Sequence, residues 1–301
     1  MSGFTPIDLS KLPAPEVIQT VAYETLLAEM KAEAIIQMPE LEPYLALESE
    51  PVTKLLRVCA YHRMLDRLEF NDGARANMLA LSTGTDLDGL AAYWGVVRLV
   101  AQEADDSVSP PIAQIMESDD ALRQRVQLSL EGHSTAGPRG SYIFWARSAS
   151  GEIKDVSVIS EIPGQVTVTV LSHDNDGTPS NSVLNAVETV LNGEDVRPLT
   201  DQVVVQAATL IPYQITAELV LFSGPDSDTV LDAAQAAIAT YITEQNRLGF
   251  DITLSGIYSA LHQPGVQKVN LTEPLADIVV GDTEAAYCPI APALSLGGTN
   301  V

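Results

Sequence analysis

The sequence predicts an α+β protein in which an N-terminal helical region is followed by two small α+β modules. Three observations lead to this prediction. Apolar residues recur at intervals of three and four in the first third of the chain, which is typical of helices. Apolar and polar residues alternate at 155–160 and 165–171, as they do in strands. Strand and helix patterns then follow one another twice, so each module combines a sheet with its own helices.

We place the domains at residues 1–105, 106–208 and 209–301. At 301 residues the chain is long enough for two or three domains, each with its own core. The first boundary falls in a linker that contains acidic pairs and Pro110-Pro111, a composition typical of boundaries between domains. The second boundary follows the strand predicted at 202–207. We also predict that the segment 101–112 is a hinge.

Two long helices are predicted in the first domain, at 16–37 and at about 51–70. Pro39 and Pro43 interrupt the first helix. On the second helix, apolar and histidine side chains follow a three-four-three spacing that places them on one face: Leu55, Val58, His62 and Leu65. Such a stripe needs another helix to cover it, and the sequence leaves open whether this helix belongs to the same chain or to another subunit.

Shorter helices are predicted after these two. One begins near residue 71 and ends at Gly84, and a short capped helix follows at 85–95. A helix capped by Ser118 is predicted next, with Leu122, Val126 and Leu130 at every fourth position. After a turn at 137–140, Ser141 is predicted to cap a helix that is rich in aromatic residues.

The two modules are predicted from their strand and helix patterns. In the middle module, a hairpin at 155–160 and 165–171 precedes a helix at 180–191 and a strand at 202–207. The C-terminal module has a similar order of elements. Its predicted elements are a strand at 213–222, helices at 226–247 and 254–263, and a strand at 265–271.

Composition excludes several classes of protein. The apolar fraction of 46% excludes a chain that is mostly disordered. The net charge is −24 and no segment is basic enough to follow a phosphate backbone, so we expect no nucleic-acid partner. Cys59 and Cys288 are far apart, which suits a reducing compartment and excludes a disulfide scaffold. The absence of a signal-peptide pattern and of a long apolar stretch predicts a soluble protein with no membrane partner.

The sequence gives no support for an enzyme. It contains no phosphate-binding loop, nucleophile elbow or zinc-protease motif. The histidines have no metal-ligand spacing: His62, His133, His173 and His262. We therefore expect no catalytic residue, no cofactor and no metal site.

Two further candidate sites are better explained by local structure. The loop at 172–177 resembles the start of a calcium loop, but its twelfth position is Val183 where a glutamate is needed, so we interpret the loop as a turn. The acidic pairs Asp86 with Asp88 and Asp119 with Asp120 lie at predicted helix starts, where the helix dipole accounts for them.

Short segments along nearly the whole chain resemble the Baseplate J-like family, which comprises wedge proteins of contractile phage tails and related bacteriocin tails. One of these segments reads Gly84-Thr-Asp-Leu-Asp-Gly-Leu-Ala91, and the others occur in the same order as in the family. They lie at residues 7–15, 47–51, 95–98, 117–119, 134–137, 192–198, 247–249, 251–252 and 275–278.

The resemblance implies a structural role in the virion, at the tail baseplate, after assembly in the host cytoplasm. It implies that a second copy of the chain joins a tail protein I-like wedge subunit through helices. Six such wedges would ring the hub, with contacts between neighbouring wedges and a sheath-initiating, lysozyme-like protein nearby. We place the first contact at Leu55, Val58, His62 and Leu65, and the second in the C-terminal module. The alternatives are a non-enzymatic adaptor of another secretion-like machine and, third, an enzyme.

Overall fold

The computed structural model describes residues 22–133, 137–173, 176–224 and 226–300, and separate positions between Ile7 and Thr20. It confirms the predicted α+β class, with helices first and small sheets afterwards. The described residues up to Val97 form one compact unit, and those from Arg98 onward form another. Within the described part of the chain, no helix is both long enough and apolar enough to cross a membrane.

The first unit is helical. It contains α1 (Tyr23–Gln37), a 3₁₀ turn (Pro39–Leu41), α2 (Glu42–Leu45), α3 (Pro51–Ala76) and α4 (Gly84–Ala92). Helices α1 and α3 pack against each other along one face of each helix. Their shared core consists of Leu26, Leu27 and Ala60, with Tyr23, Met30, Leu56 and Met64 partly buried around it. Positions 56, 60 and 64 are one turn apart, so they form one row on α3.

Helix α3 is longer than the sequence indicates. We predicted a break near residue 70 and a second helix that ends at Gly84, but α3 continues to Ala76 and Gly84 instead begins α4. The reason is Asn71, whose buried side-chain amide does not cap a new helix. Its Oδ1 accepts from the backbone N–H of Gln19 at 3.1 Å, and its Nδ2 donates to the carbonyl of Gln19 at 2.8 Å.

Helix α1 begins at Tyr23, whereas we predicted a start at residue 16. Parts of the predicted first turns lie outside the described residues. The segment before Tyr23 contains several β-branched residues, and Ala22 has the extended backbone of an N-cap position.

The second unit begins with a hairpin arm, which we define as residues 100–116. Its strands are β1 (Val100–Gln102) and β2 (Ile115–Met116), which pair in antiparallel orientation, and an isolated bridge joins Asp105 to Ile112. The predicted hinge at 101–112 is therefore part of a hairpin whose two ends lie side by side.

A middle module follows the arm. It contains α5 (Asp119–Gly132), α6 (Arg139–Ala149), β3 (Ile153–Ile159), β4 (Gln165–Ser172), α7 (Asn181–Leu191) and β5 (Gln202–Ala207). The sheet order is β3-β4-β5, in which β4 is antiparallel to β3 and parallel to β5. Alternate residues of the strands, including Val156, Val158, Val166, Val168 and Val170, form the core with side chains from α6 and α7.

Several predictions for this module are confirmed. The hairpin and the strand at 202–207 are present, and Ser118 caps α5 by accepting from the backbone N–H three residues later. Ser180 caps α7 in the same way, which was not predicted. Ser141 does not cap α6, because the helix begins at Arg139 after Pro138 and buries Ser141. Leu130 is exposed, since positions four apart drift around a helix that turns every 3.6 residues.

Among the described residues, the C-terminal module contains the largest core. Its elements are β6 (Thr209–Pro212), β7 (Thr216–Phe222), α8 (Ser227–Gln245), α9 (Leu254–Leu261), β8 (Val266–Glu273), β9 (Glu284–Tyr287) and β10 (Ala293–Asn300). Strand β7 lies between β10, to which it is parallel, and β8, to which it is antiparallel. Strands β6 and β9 form a separate parallel pair. The predicted strand at 213–222 starts at Thr216, and β6, β9 and β10 were not predicted.

The middle and C-terminal modules are joined by polar contacts and a small apolar cluster. Lys154 on β3 donates to Oδ1 of Asn246 at 2.5 Å, and Asp155 accepts from the backbone N–H of Leu248 at 3.1 Å. Leu171, Ala208, Leu248 and Ala285 pack together beside these contacts. The second unit is therefore continuous across the two modules.

Candidate interaction surfaces

The stripe predicted on α3 lies on the side of the helix that faces away from α1. Leu55 is 63% exposed and Val58 is 53% exposed, His62 is exposed, and Leu65 is partly buried. Because α1 contacts the row of Leu56, Ala60 and Met64, the stripe has no cover from α1. Tyr61 lies beside His62, with the two ring centroids 5.9 Å apart in an edge-to-face arrangement. An apolar helix face is thus open to solvent.

A second exposed apolar group follows α4, and it was not among the contact residues predicted from the sequence. Tyr93 is 87% exposed, and Trp94 and Val97 are also exposed. The helix ends here because Gly95 adopts a positive φ of 68°. The signal in the sequence was an aromatic pair directly before a helix-stopping glycine, a position where large side chains have no helix to pack against.

A clamp of charged residues holds both ends of the hairpin arm. Glu117 is buried, and its carboxylate accepts hydrogen bonds from Nε and Nη2 of Arg125 at 2.8 and 2.7 Å. Its Oε2 also accepts from the backbone N–H of Leu99 at 3.1 Å. Arg98 donates to the carbonyl of Glu117 at 2.6 Å and to Oδ1 of Asp119 at 2.7 Å. The clamp therefore fixes the residue at which the second unit begins.

Beyond the clamp, most of the arm is exposed. Apolar side chains are open to solvent near its tip and along its second strand: Val108, Ile112, Ile115 and Met116. The charged residues within the arm are all acidic: Glu103, Asp105 and Asp106. Two hydrogen bonds from Ser107 lower the pKa of the exposed Asp105 carboxyl. The arm is an acidic and partly apolar projection.

Two cations in the middle module lie where water access is limited. Burial lowers the pKa of the Arg147 guanidinium, although the charge of Asp155 opposes this effect. Burial also lowers the pKa of the half-buried Lys154 amine, and the nearby Arg247 adds to the shift. Neither cation forms an ion pair with a carboxylate among the described residues.

Among the residues that the structure describes, the other candidates from the sequence do not form a common site. In the part of the chain that it describes, no three histidine, cysteine or acidic residues are placed to hold a metal ion. Cys59 and Cys288 are not paired. Asp86 and Asp119 lie in the first turns of α4 and α5, as predicted. The suspected calcium loop falls partly on residues 174 and 175, which lie outside the described residues.

Comparison with known proteins establishes the family to which the chain belongs. Models of the Baseplate J-like N-terminal, central and C-terminal domains match residues 48–105, 134–207 and 213–289. Baseplate protein J of Escherichia phage P2 is 47% identical over 287 residues, which cover 94% of this chain and 95% of the phage protein. The chain belongs to the Baseplate J-like family. Its role is accordingly structural, in a phage tail baseplate.

A solved baseplate structure is a more distant match. A chain in the cryo-EM structure of the anti-feeding prophage baseplate is 18% identical, with a TM-score of 0.36. The match covers 66% of the present chain and 49% of that chain, so the Baseplate J-like protein described here spans about half of its length.

Two segments that carry the family resemblance contact each other in the fold. The segment at 95–98 ends in Arg98, and the segment at 117–119 supplies two hydrogen-bond acceptors to it, the Glu117 carbonyl and the Asp119 carboxylate. The segments at 7–15 and 134–137 lie partly outside the described residues.

Proposed function

We propose that this Baseplate J-like chain is a non-enzymatic wedge subunit of a contractile-tail baseplate. It assembles with a second copy of itself and a tail protein I-like subunit, and six such wedges form a ring around the hub. A sheath-initiating, lysozyme-like protein is a neighbour in the assembled tail. The proposal is supported by the 47% identity to baseplate protein J of phage P2 along nearly the whole of both chains.

The observation that carries the contact within a wedge is the uncovered stripe on α3. Leu55, Val58, His62 and Leu65 lie on a 26-residue helix whose opposite face is already occupied by α1. An apolar stripe of this length gains free energy when another helix covers it, at about 25 cal/mol per Å² of apolar surface removed from water. The stripe therefore packs against a helix of another wedge subunit.

A second contact, between neighbouring wedges, belongs to the C-terminal module. Apolar side chains in its loops are largely open to solvent: Leu275, Val279 and Ile290. We divide the chain into a wedge-bundle region at 1–105, a middle module at 106–208 and a C-terminal module at 209–301. In this division the first and third parts make contacts with other subunits, and the middle module connects them.

Co-purification with the tail protein I-like subunit tests the wedge proposal. The double variant Leu55→Asp with Val58→Asp places two charges on the stripe without touching the face that packs on α1. We expect it to remain folded by circular dichroism and to lose the complex. Native mass spectrometry of the co-expressed proteins measures this loss as the disappearance of the mixed assembly.

The matched control is Leu199→Asp, since Leu199 is fully exposed and lies on the middle module. This variant should assemble like the wild type. If the stripe variant still forms the mixed assembly in normal yield, α3 is not the contact within the wedge.

A further inference from the structure

A cavity of about 210 Å³ lies at the base of the hairpin arm, between the arm, α5, α6 and β3. Its apolar walls come from both arm strands and from β3: Ala101, Ile115, Met116 and Ile153. Cavities that hold cofactors or drug-sized ligands are larger, about 300–1,000 Å³. The volume of the cavity is large enough for a single side chain, and its apolar walls can contact the aliphatic part of that side chain.

The polar wall of this cavity carries more positive than negative charge. Arg125, Arg147 and Glu117 line it, together with His173 and the first turn of α5. The negative charge of Glu117 is balanced by Arg125, which donates hydrogen bonds to its oxygens at 2.7 and 2.8 Å. The N–H of Leu99 donates to the same carboxylate. Among the residues that line the cavity, the guanidinium of Arg147 is then the surplus charge. The charge of the nearby Asp155 also acts on Arg147, but Asp155 does not line the cavity and forms no ion pair with Arg147.

Arg147 has hydrogen-bonding capacity left for a ligand. Its two hydrogen bonds within the chain both use Nη2, which donates to Oε1 of Gln124 at 3.1 Å and to the carbonyl of Lys154 at 3.0 Å. These acceptors are uncharged. Nε and Nη1 have no protein acceptor among the described residues, and an arginine fork of this kind is matched best by a carboxylate. Burial also lowers the pKa of Arg147, an effect that a bound anion would oppose.

We propose that this cavity binds the carboxylate of an acidic side chain, with Arg147 as its ion-pair partner and the apolar wall against its stem. The side chain comes from a neighbouring subunit, and only this last point rests on the proposed baseplate function. Within the cavity the carboxylate would accept hydrogen bonds from Nε and Nη1 of Arg147, so the contact would attach a neighbour to the base of the arm.

The test uses butyrate as a mimic of a glutamate side chain and inorganic phosphate as an anion without a stem. The full chain is labelled with ¹⁵N, and the arginine Nε–H signals are followed during titration of each probe. The Arg147 signal is identified by its loss in Arg147→Gln, and binding to that variant is measured from the Nε–H signal of Arg125, which lines the same cavity. We expect saturable butyrate binding with Kd of about 1–10 mM, and at least about tenfold weaker binding to Arg147→Gln, since the charged hydrogen bonds to the carboxylate are lost.

A second variant places the carboxylate in the cavity permanently. Ile115→Glu adds a glutamate at the mouth of the cavity, and we expect it to abolish butyrate binding and raise Tm by about 2 °C. The control is Ile112→Glu, on the same arm but outside the cavity, which should leave both butyrate binding and Tm unchanged. The rise in Tm should disappear when Ile115→Glu is combined with Arg147→Gln.

Other outcomes overturn the proposal. No saturable shift of the Arg147 signal by butyrate up to about 50 mM would exclude a carboxylate site of the expected strength. Equal binding of butyrate to wild type and Arg147→Gln would remove Arg147 from the site. Phosphate binding as tight as that of butyrate would indicate a site for small anions in place of acidic side chains. None of these results depends on wedge assembly, so this proposal fails or stands separately from the proposed function.

Discussion

At the scale of single residues, the ion pair of Glu117 with Arg125 is the contact on which the start of the second unit depends. Both side chains are only 5% exposed, and the pair is bidentate. Buried pairs of this kind add little net stability. The loss of one partner nevertheless lowers the free energy of unfolding strongly, because it leaves an uncompensated buried charge.

We therefore expect Glu117→Gln to lower the free energy of unfolding by about 3 kcal/mol, the cost of leaving Arg125 buried without its carboxylate. Urea unfolding followed by circular dichroism measures this change. The comparison variant is Asp120→Asn, which removes an exposed partner of Arg123 on the same helix and should change stability by less than about 0.5 kcal/mol. Equal losses in the two variants would show that the buried pair has no special role.

Most residues around the Glu117–Arg125 pair could be identified from the sequence, but their contacts could not. Ser118 was recognised as a cap, and the segments ending in Arg98 and beginning at Glu117 were recognised as family segments. Their mutual contact was hidden because Arg98 and Glu117 are 19 positions apart, on either side of the arm. Arg147 was missed for a related reason, since a basic residue near the end of an aromatic helix usually faces solvent. Only the fold shows which face of α6 is covered.

At the scale of elements, the close approach of α5 and α6 depends on a glycine. A Cβ atom added to Gly132 would lie 2.2 Å from Cδ1 of Phe144, much closer than two carbon atoms can approach. Gly89 in α4 provides a contrast, because nothing lies within 4 Å of the position where its Cβ would be.

We expect Gly132→Ala to destabilise the protein by about 1–3 kcal/mol, because α6 must move to accommodate the methyl group. Gly89→Ala should have the opposite effect and stabilise by about 0.5–1 kcal/mol, since alanine has the higher helix propensity. Thermal unfolding of the two variants beside the wild type measures both effects. A neutral Gly132→Ala variant would mean that the two helices are not in close contact at this point.

Elements with strong local patterns were predicted from the sequence, and elements that depend on distant partners were not. The hairpin of β3 and β4, helix α7 and strand β5 follow from local periodicity and turn chemistry. Strand β10 contains Gly297 and Gly298 and pairs with β7, a strand more than seventy positions earlier. Helix α3 extends beyond its predicted end because Asn71 forms hydrogen bonds with Gln19. A contact between residues so far apart in the chain cannot be predicted from periodicity.

At the scale of the whole molecule, the second unit contains complete cores of its own. One core lies between β3, β4, α6 and α7, and the other surrounds β7, α8 and α9. The two are linked by the contacts of Lys154 and Asp155 with the segment after α8. A domain with this much internal packing has the means to fold alone.

We expect a fragment of residues 98–301 to fold and to unfold cooperatively, because the described residues of its cores all follow Arg98. Circular dichroism and thermal unfolding of the purified fragment measure this. The same fragment carrying Leu219→Ala, at a position with no exposed surface, should be less stable by about 2–5 kcal/mol, which would establish that the core is packed. A fragment without a cooperative transition would mean that the first unit is needed for folding.

The order of assembly of the C-terminal sheet affects the protein while it is being made. Strand β7 needs β10 on one side, and β10 is formed by residues 293–300. Until the ribosome has added these residues, the backbone N–H and C=O groups along that side of β7 have no partner, and exposed strand edges invite pairing with other chains. Nascent chains on a polysome are thus most prone to aggregate late in translation. Products that end before residue 293 should accumulate as aggregates or be degraded.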